Sequence, residues 1–179
     1  MEPKEWRRNV GDQSYLISTE RELLDETFIQ AAFGTKDMSW AKPTSKEKMK
    51  TLLDNSCTLG LYQVPLELAP HQPSIMVGIA RIITDYVTFA YLTDVYVLDE
   101  YRKLGLGKWL IACLKEIFLM IPDLRRAMLL TGSENAQRMY ERDFGMEIMS
   151  RDDSGLVAMG VTKAVLESLD AKVARNPAT

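Results

Sequence analysis

One stretch, Thr93 to Met120 (TDVYVLDEYRKLGLGKWLIACLKEIFLM), limits the choice of fold more than any other. It reads as an apolar strand, a short basic turn with two glycines, and a long amphipathic helix. Leu106, Trp109, Leu110, Cys113, Leu114, Ile117 and Met120 or Ile121 recur at i, i+3, i+4, i+7. That stripe marks a helix packed on a sheet. The turn is Arg102-Lys103-Leu104-Gly105-Leu106-Gly107-Lys108. Two glycines one residue apart let backbone N–H groups point the same way without Cβ clashes. The helix adds its unpaired first-turn donors and the positive end of its dipole. Such an entrance suits a phosphate or pyrophosphate, and Arg102, Lys103 and Lys108 add charge.

Two common phosphate motifs do not fit. Lys108 is followed by Trp109, and no glycine lies five residues before Gly107, so the Walker pattern fails. Gly105-Leu-Gly107-Lys-Trp-Leu110 lacks the third glycine of the dinucleotide fingerprint. A nucleotide phosphotransferase built on this turn would also lack an obvious acidic Mg²⁺ ligand pair. What remains is Arg-x-x-Gly-x-Gly between a strand and a helix.

The rest of the chain supplies a sheet and further helices. Residues 1–10 read as a loose terminus, followed by a short strand at Tyr15-Leu16-Ile17. A helix is expected over 20–32, capped by Thr19 with Glu22 as its capping-box partner. A loop over 35–44 carries Trp40 and Pro43, and a second helix spans 45–54. Strands follow at Thr58–Gln63, Ile75–Ile83 and Val87–Leu98, the last two joined by a turn at Thr84-Asp85-Tyr86. Asp85 reads as a turn residue bonding its own backbone. The stretch 64–74 holds three prolines and reads as a loop. Beyond the long helix come a strand at Arg126–Thr131, a short helix capped by Ser133, a turn at Gly145, and strands near Met146–Ser150 and Leu156–Val161. A terminal helix is expected over Val161–Arg175.

A chain of 179 residues suits one domain with a sizeable core. The net charge of −3, with no basic block, argues against nucleic acid as a partner. No apolar run approaches the roughly 20 residues needed to span a bilayer, and MEPKEWRRNV has no apolar signal region. The expectation is a cytoplasmic protein without a membrane partner. Cys57 and Cys113 read as buried free thiols. No Cys/His cluster has metal-ligand spacing, so no metal is expected. The single histidine, His71, lies in the Pro-rich stretch and is a poor triad member.

A second constellation lies at Asn135-Ala136-Gln-Arg-Met-Tyr140-Glu-Arg-Asp-Phe144-Gly145-Met146. Ala136 and Tyr140 are four apart and share a helix face. Together with Arg102-x-x-Gly105-x-Gly107, this segment resembles the GNAT acetyltransferase superfamily, across roughly Leu59 to Met146. Met146 stands where the family often has an aromatic residue. The resemblance implies an α+β GNAT fold in a single domain with a core of about 13–161. Its mixed, mostly antiparallel twisted sheet would have about 6–7 strands, about four flanking helices and one splayed strand pair.

It also implies a function. Acetyl-CoA would be a co-substrate, its pyrophosphate on Arg102, Lys103, Leu104, Gly105, Leu106, Gly107 and Lys108. Its pantetheine would lie along Val95, Tyr96 and Val97 and be bonded by Asn135. Tyr140 would protonate the leaving thiolate. The acetyl group would pass to a primary amine, of a small molecule or a protein, by direct attack. Asp94 is the nearest carboxylate to serve as base, and it equally suits a role holding backbone or the sheet edge; Asp85 and Glu134 are weaker candidates. Phe33, Met38 and Trp40 become acceptor-side candidates or simple core cover. The resemblance allows a homodimer. A non-catalytic acyl-CoA sensor of the same fold is the alternative.

Overall fold

The computed structural model describes residues 1–65 and 74–175. His71 and most of the Pro-rich stretch lie outside the described residues. The chain divides into two compact units: Met1–Ile82 with Asp94–Leu110, and Ile83–Thr93 with Ile111–Thr179.

In the first unit, β1 (Glu5–Val10) and β2 (Gln13–Ser18) form an antiparallel hairpin around Gly11. β3 (Cys57–Val64) pairs antiparallel with β2, and β4 (Ile75–Thr84) antiparallel with β3. β5 (Phe89–Val97) is the next strand, and its Asp94–Val97 end belongs to this unit. α1 (Glu26–Phe33) and α2 (Lys46–Asp54) complete it. The core joins Ile29 and Phe33 of α1, Met49 and Leu53 of α2, Met38 of the connecting loop, and Tyr62, Met76, Ile79 and Tyr96 of the strands.

The N-terminal residues are therefore a strand, not a loose terminus. β1 escapes an apolar-pattern search because only Trp6 and Val10 are even half-buried; its order comes from pairing with β2. The expected helix over 20–32 is also shorter. Residues 21–23 make one 3₁₀ turn, and α1 begins after Asp25, whose carboxylate accepts from the N–H groups of Thr27 and Phe28. The Thr19 hydroxyl is engaged elsewhere: it accepts from the Lys4 amide at 2.8 Å. A cap forms where an acceptor meets first-turn donors, and Thr19 is bound to the start of β1 instead.

In the second unit the Phe89–Leu92 end of β5 pairs in parallel with β6 (Arg126–Thr131), from Phe89↔Arg126 to Leu92↔Leu129. β8 (Val157–Val161) runs antiparallel to β6, and β7 (Glu147–Arg151) antiparallel to β8. α3 (Leu106–Met120) starts in the first unit and ends in the second. α4 (Glu134–Phe144) is capped by Ser133, whose hydroxyl accepts from the Ala136 amide, and α5 (Lys163–Arg175) follows β8. Gly145 ends α4 at φ +67°, where an added Cβ would come within 2.7 Å of Leu169. Among the described residues there are thus eight strands, in the order β1-β2-β3-β4-β5-β6-β8-β7, and five α-helices. The count exceeds the expected six to seven strands by β1. Cys57 and Cys113 are both buried and free, as the sequence implied. No helix among the described residues is long and apolar enough to cross a membrane.

Candidate active site

β5 departs from regular strand geometry at Asp94, where φ is +52°. A non-glycine residue in the left-handed region is uncommon, least of all within a strand, and is held there by its surroundings. The surroundings are specific. The Asp94 side chain is 5% exposed, and its Oδ2 accepts from Arg81 Nε at 2.7 Å. Its Oδ1 accepts from the indole Nε1 of Trp40 at 3.1 Å. The parallel register with β6 ends two residues earlier, at Leu92↔Leu129.

After Val97 the chain makes a 3₁₀ turn, Asp99–Leu104, then passes Gly105 at φ +73° into α3. The Trp109 amide bonds the Gly105 carbonyl at 3.1 Å, the first helical bond. The amides of Leu106, Gly107 and Lys108 therefore precede the helical ladder. A Cβ added at Gly105 or Gly107 meets nothing within 4 Å. Gly107 lacks a left-handed φ, so its backbone does not demand glycine; the missing side chain leaves clear the space before the first-turn amides. Lys103 and Lys108 are exposed, with no ion-pair partner among the described residues. This entrance fits a diphosphate.

Arg102 behaves differently from its two neighbouring cations. Its Nε donates to the Val97 carbonyl at 3.0 Å, and its other nitrogens pair with Asp37 at 2.5 Å and Asp99 at 2.8 Å. Its Cζ stands 5.9 Å from the centre of the Tyr96 ring. Each of the three guanidinium nitrogens has a partner within the protein, and two of the partners are carboxylates.

Among the acceptor-side candidates, Phe33 and Met38 are buried in the core of the first unit, whereas Trp40 is 60% exposed. Arg81 and Asp37 were not anticipated. A signal for Arg81 was present: it is the lone charge in the run Ile75–Ile83, otherwise apolar, and a buried charge needs a partner. Asp85 sits in the hairpin turn, accepting from the amides of Val87, Thr88 and Phe89 and from the Thr88 hydroxyl.

Asn135 and Tyr140 lie on α4, in the second unit. Asn135 is exposed, and its Oδ1 accepts from Arg138 at 2.7 Å. Tyr140 is buried, stacked on Phe144 with ring centres 5.8 Å apart. Burial pushes its hydroxyl up to about 12.

Comparison with known proteins identifies the family. The family model described as "Acetyltransferase (GNAT) family" matches residues 26–146. A curated Gibberella zeae protein, described as a candidate acetyltransferase, is 35% identical over 174 residues, covering 92% of this chain and 93% of that protein. A Xanthomonas campestris structure, described as a candidate acetyltransferase of the GNAT family, is 30% identical with a TM-score of 0.59, over 79% of this chain and 94% of that one. Spermidine N-acetyltransferase from Vibrio cholerae, solved with CoA and spermine, shares the fold at 13% identity and a TM-score of 0.59, over 92% of this chain and 98% of that one. The chain belongs to the GNAT family of acetyltransferases.

Proposed function

We propose that the protein is an acetyl-CoA-dependent N-acetyltransferase that acts on a primary amine. The observation that carries the proposal is the start of α3: open space in front of Gly105 and Gly107, three amides ahead of the helical ladder, and beside them two exposed lysines with no ion-pair partner among the described residues. Acetyl-CoA supplies the acetyl thioester. The amides of Leu104, Gly105, Leu106, Gly107 and Lys108 grip the diphosphate, with Lys103 and Lys108 adding charge. Arg102 serves the same site by fixing the loop, since its donors go to Val97, Asp37 and Asp99. The backbone of Val95, Tyr96 and Val97 bonds the pantetheine, and an amide there stabilises the oxygen of the reacting carbonyl as charge develops. Asn135 contributes a further bond from its amide.

Tyr140 has the proton inventory for its role. A hydroxyl held near 12 stays protonated at neutral pH and can donate a hydrogen bond to the sulfur as charge develops on it. Because an ordinary thiol lies lower, at about 8.5, the hydroxyl stabilises the leaving thiolate chiefly as a donor, and any proton it passes on must be replaced from water. Of the two roles open to Asp94, its bonds to Arg81 and Trp40 favour the holding one. The amine's proton then leaves through water, and Asp94 as the direct base is the arrangement to test against.

The deciding experiment is a coenzyme thiol-release screen over small amines and lysine peptides with acetyl-CoA. Turnover with any amine supports the proposal. A coenzyme-binding protein without turnover is the competing reading, favoured by the same engagement of Asp94. It requires coenzyme binding by calorimetry with no thiol release across the panel.

A further inference from the structure

The loop between α1 and α2 is fixed at both ends and in the middle. Asp37 pairs with Arg102, Met38 is fully buried, and Trp40 donates to Asp94. Farther along, the Thr44 amide donates to Gln30 Oε1 at 2.9 Å, and Gln30 Nε2 donates back to the Thr44 carbonyl. Trp40 is thus an exposed aromatic side chain with a fixed position. Its anchor is the buried carboxylate at the left-handed residue of β5.

We propose that Arg81, Asp94 and Trp40 form a positioning clamp. Arg81 neutralises and orients the Asp94 carboxylate. That carboxylate holds the left-handed turn of β5 through its own backbone, and holds the Trp40 ring through its second oxygen. One side chain thereby sets two things together: the path of the strand leading into Val95–Val97, and the aromatic surface of the neighbouring loop. This rests on the acetyltransferase reading, in which Val95–Val97 line the acetyl group. Under that reading Trp40 becomes the surface on which the non-reacting part of the amine rests. An indole face suits apolar or cationic groups there. A base role for Asp94 would require neither Trp40 nor Arg81.

The test uses Trp40→Phe and Asp94→Asn in the full chain. Trp40→Phe keeps an aromatic ring and removes the indole N–H together with the fused five-membered ring; as an exposed site it leaves folding intact. It should raise the acceptor KM about tenfold, the loss of one charge-assisted hydrogen bond, with coenzyme affinity unchanged. Asp94→Asn should lower kcat modestly and leave the midpoints of the pH–rate profile where they were. An unchanged acceptor KM in Trp40→Phe overturns the clamp. So does loss of the acidic limb in Asp94→Asn, which would make Asp94 the base.

A second readout is independent of turnover. In ¹H–¹⁵N spectra the Trp40 indole N–H, identified by its absence in Trp40→Phe, should exchange slowly with solvent and should shift on Asp94→Asn. Exchange as fast as that of free tryptophan removes the clamp. Absence of thiol release by the wild type, with the indole proton still protected, instead defeats the acetyltransferase reading and leaves the clamp standing.

Discussion

Arg102 and Val97 are joined by a 3.0 Å hydrogen bond from guanidinium Nε to backbone carbonyl, so the end of β5 and the turn into α3 are held by one side chain. The same guanidinium also pairs with Asp37 and Asp99, which fits the bracing role proposed for it. Arg102→Lys keeps the charge and loses the planar fork that reaches Val97, Asp37 and Asp99 together. It should weaken coenzyme binding by about tenfold or less, whereas the losses caused by Lys103 and Lys108 substitutions should shrink as salt rises. Calorimetry at two ionic strengths separates the two behaviours.

Gly107 separates stability from function. Its Cβ position is open and its φ is not left-handed. Gly107→Ala should therefore stabilise the fold by about 0.4–1 kcal/mol, while placing a methyl group before the first-turn amides and lowering coenzyme affinity. Gly107→Asp should abolish binding. Gly105→Ala should instead lose about 1–2 kcal/mol of stability, because Gly105 sits at φ +73°. Thermal unfolding and coenzyme titration of the same variants check both signs.

Tyr140→Phe should lower turnover about 10²–10⁴-fold if the hydroxyl is the acid, with coenzyme affinity nearly unchanged. Because burial holds Tyr140 near 12, the wild-type kcat profile should show no limb from its ionisation across the ordinary assay range. Unchanged turnover would leave Tyr140 only its packing on Phe144.

Gly60 is required by its neighbour. A Cβ there would lie 2.1 Å from the hydroxyl oxygen of Tyr62, whose ring is buried. Gly60→Ala should cost about 1–3 kcal/mol by forcing that ring to move. Adding Tyr62→Leu should recover part of the loss, measured by denaturant unfolding.

Asp85 gives the turn between β4 and β5 a pH dependence. Bonds from the Thr88 hydroxyl, above all, and from three backbone amides hold its carboxyl well below the usual carboxylate range. A depressed folded value means stability that is present above the unfolded value of about 3.9 and fades as pH falls below it. Asp85→Ala should lower the melting temperature at neutral pH, with the gap to wild type narrowing in acid.

The strand–turn–helix from Thr93 to Met120 was legible because each part carries its own signal: apolar strand, paired glycines, 3.6-residue stripe. α2, expected over 45–54 and found over Lys46–Asp54 with Ser45 as its cap, was legible for the same reason. β1 was not, because an edge strand exposed on most of its residues carries no apolar alternation. The start of α1 was misplaced because Thr19 and Glu22 imitate a capping box while Asp25 makes the bonds. The Arg81–Asp94–Trp40 contact joins positions 13 and 54 residues apart, and no local pattern encodes such a meeting. Arg81 alone announced that some partner had to exist.

The two buried cysteines bear on how this protein can be assayed. Burial pushes the Cys57 thiol up to about 11 and that of Cys113 up to about 12, and the thiolate is the form that attacks disulfide reagents. A colorimetric disulfide reagent added to the native chain should therefore see neither residue. Liberated coenzyme A can be followed continuously against a flat protein blank, and a blank that rises with time would report unfolding.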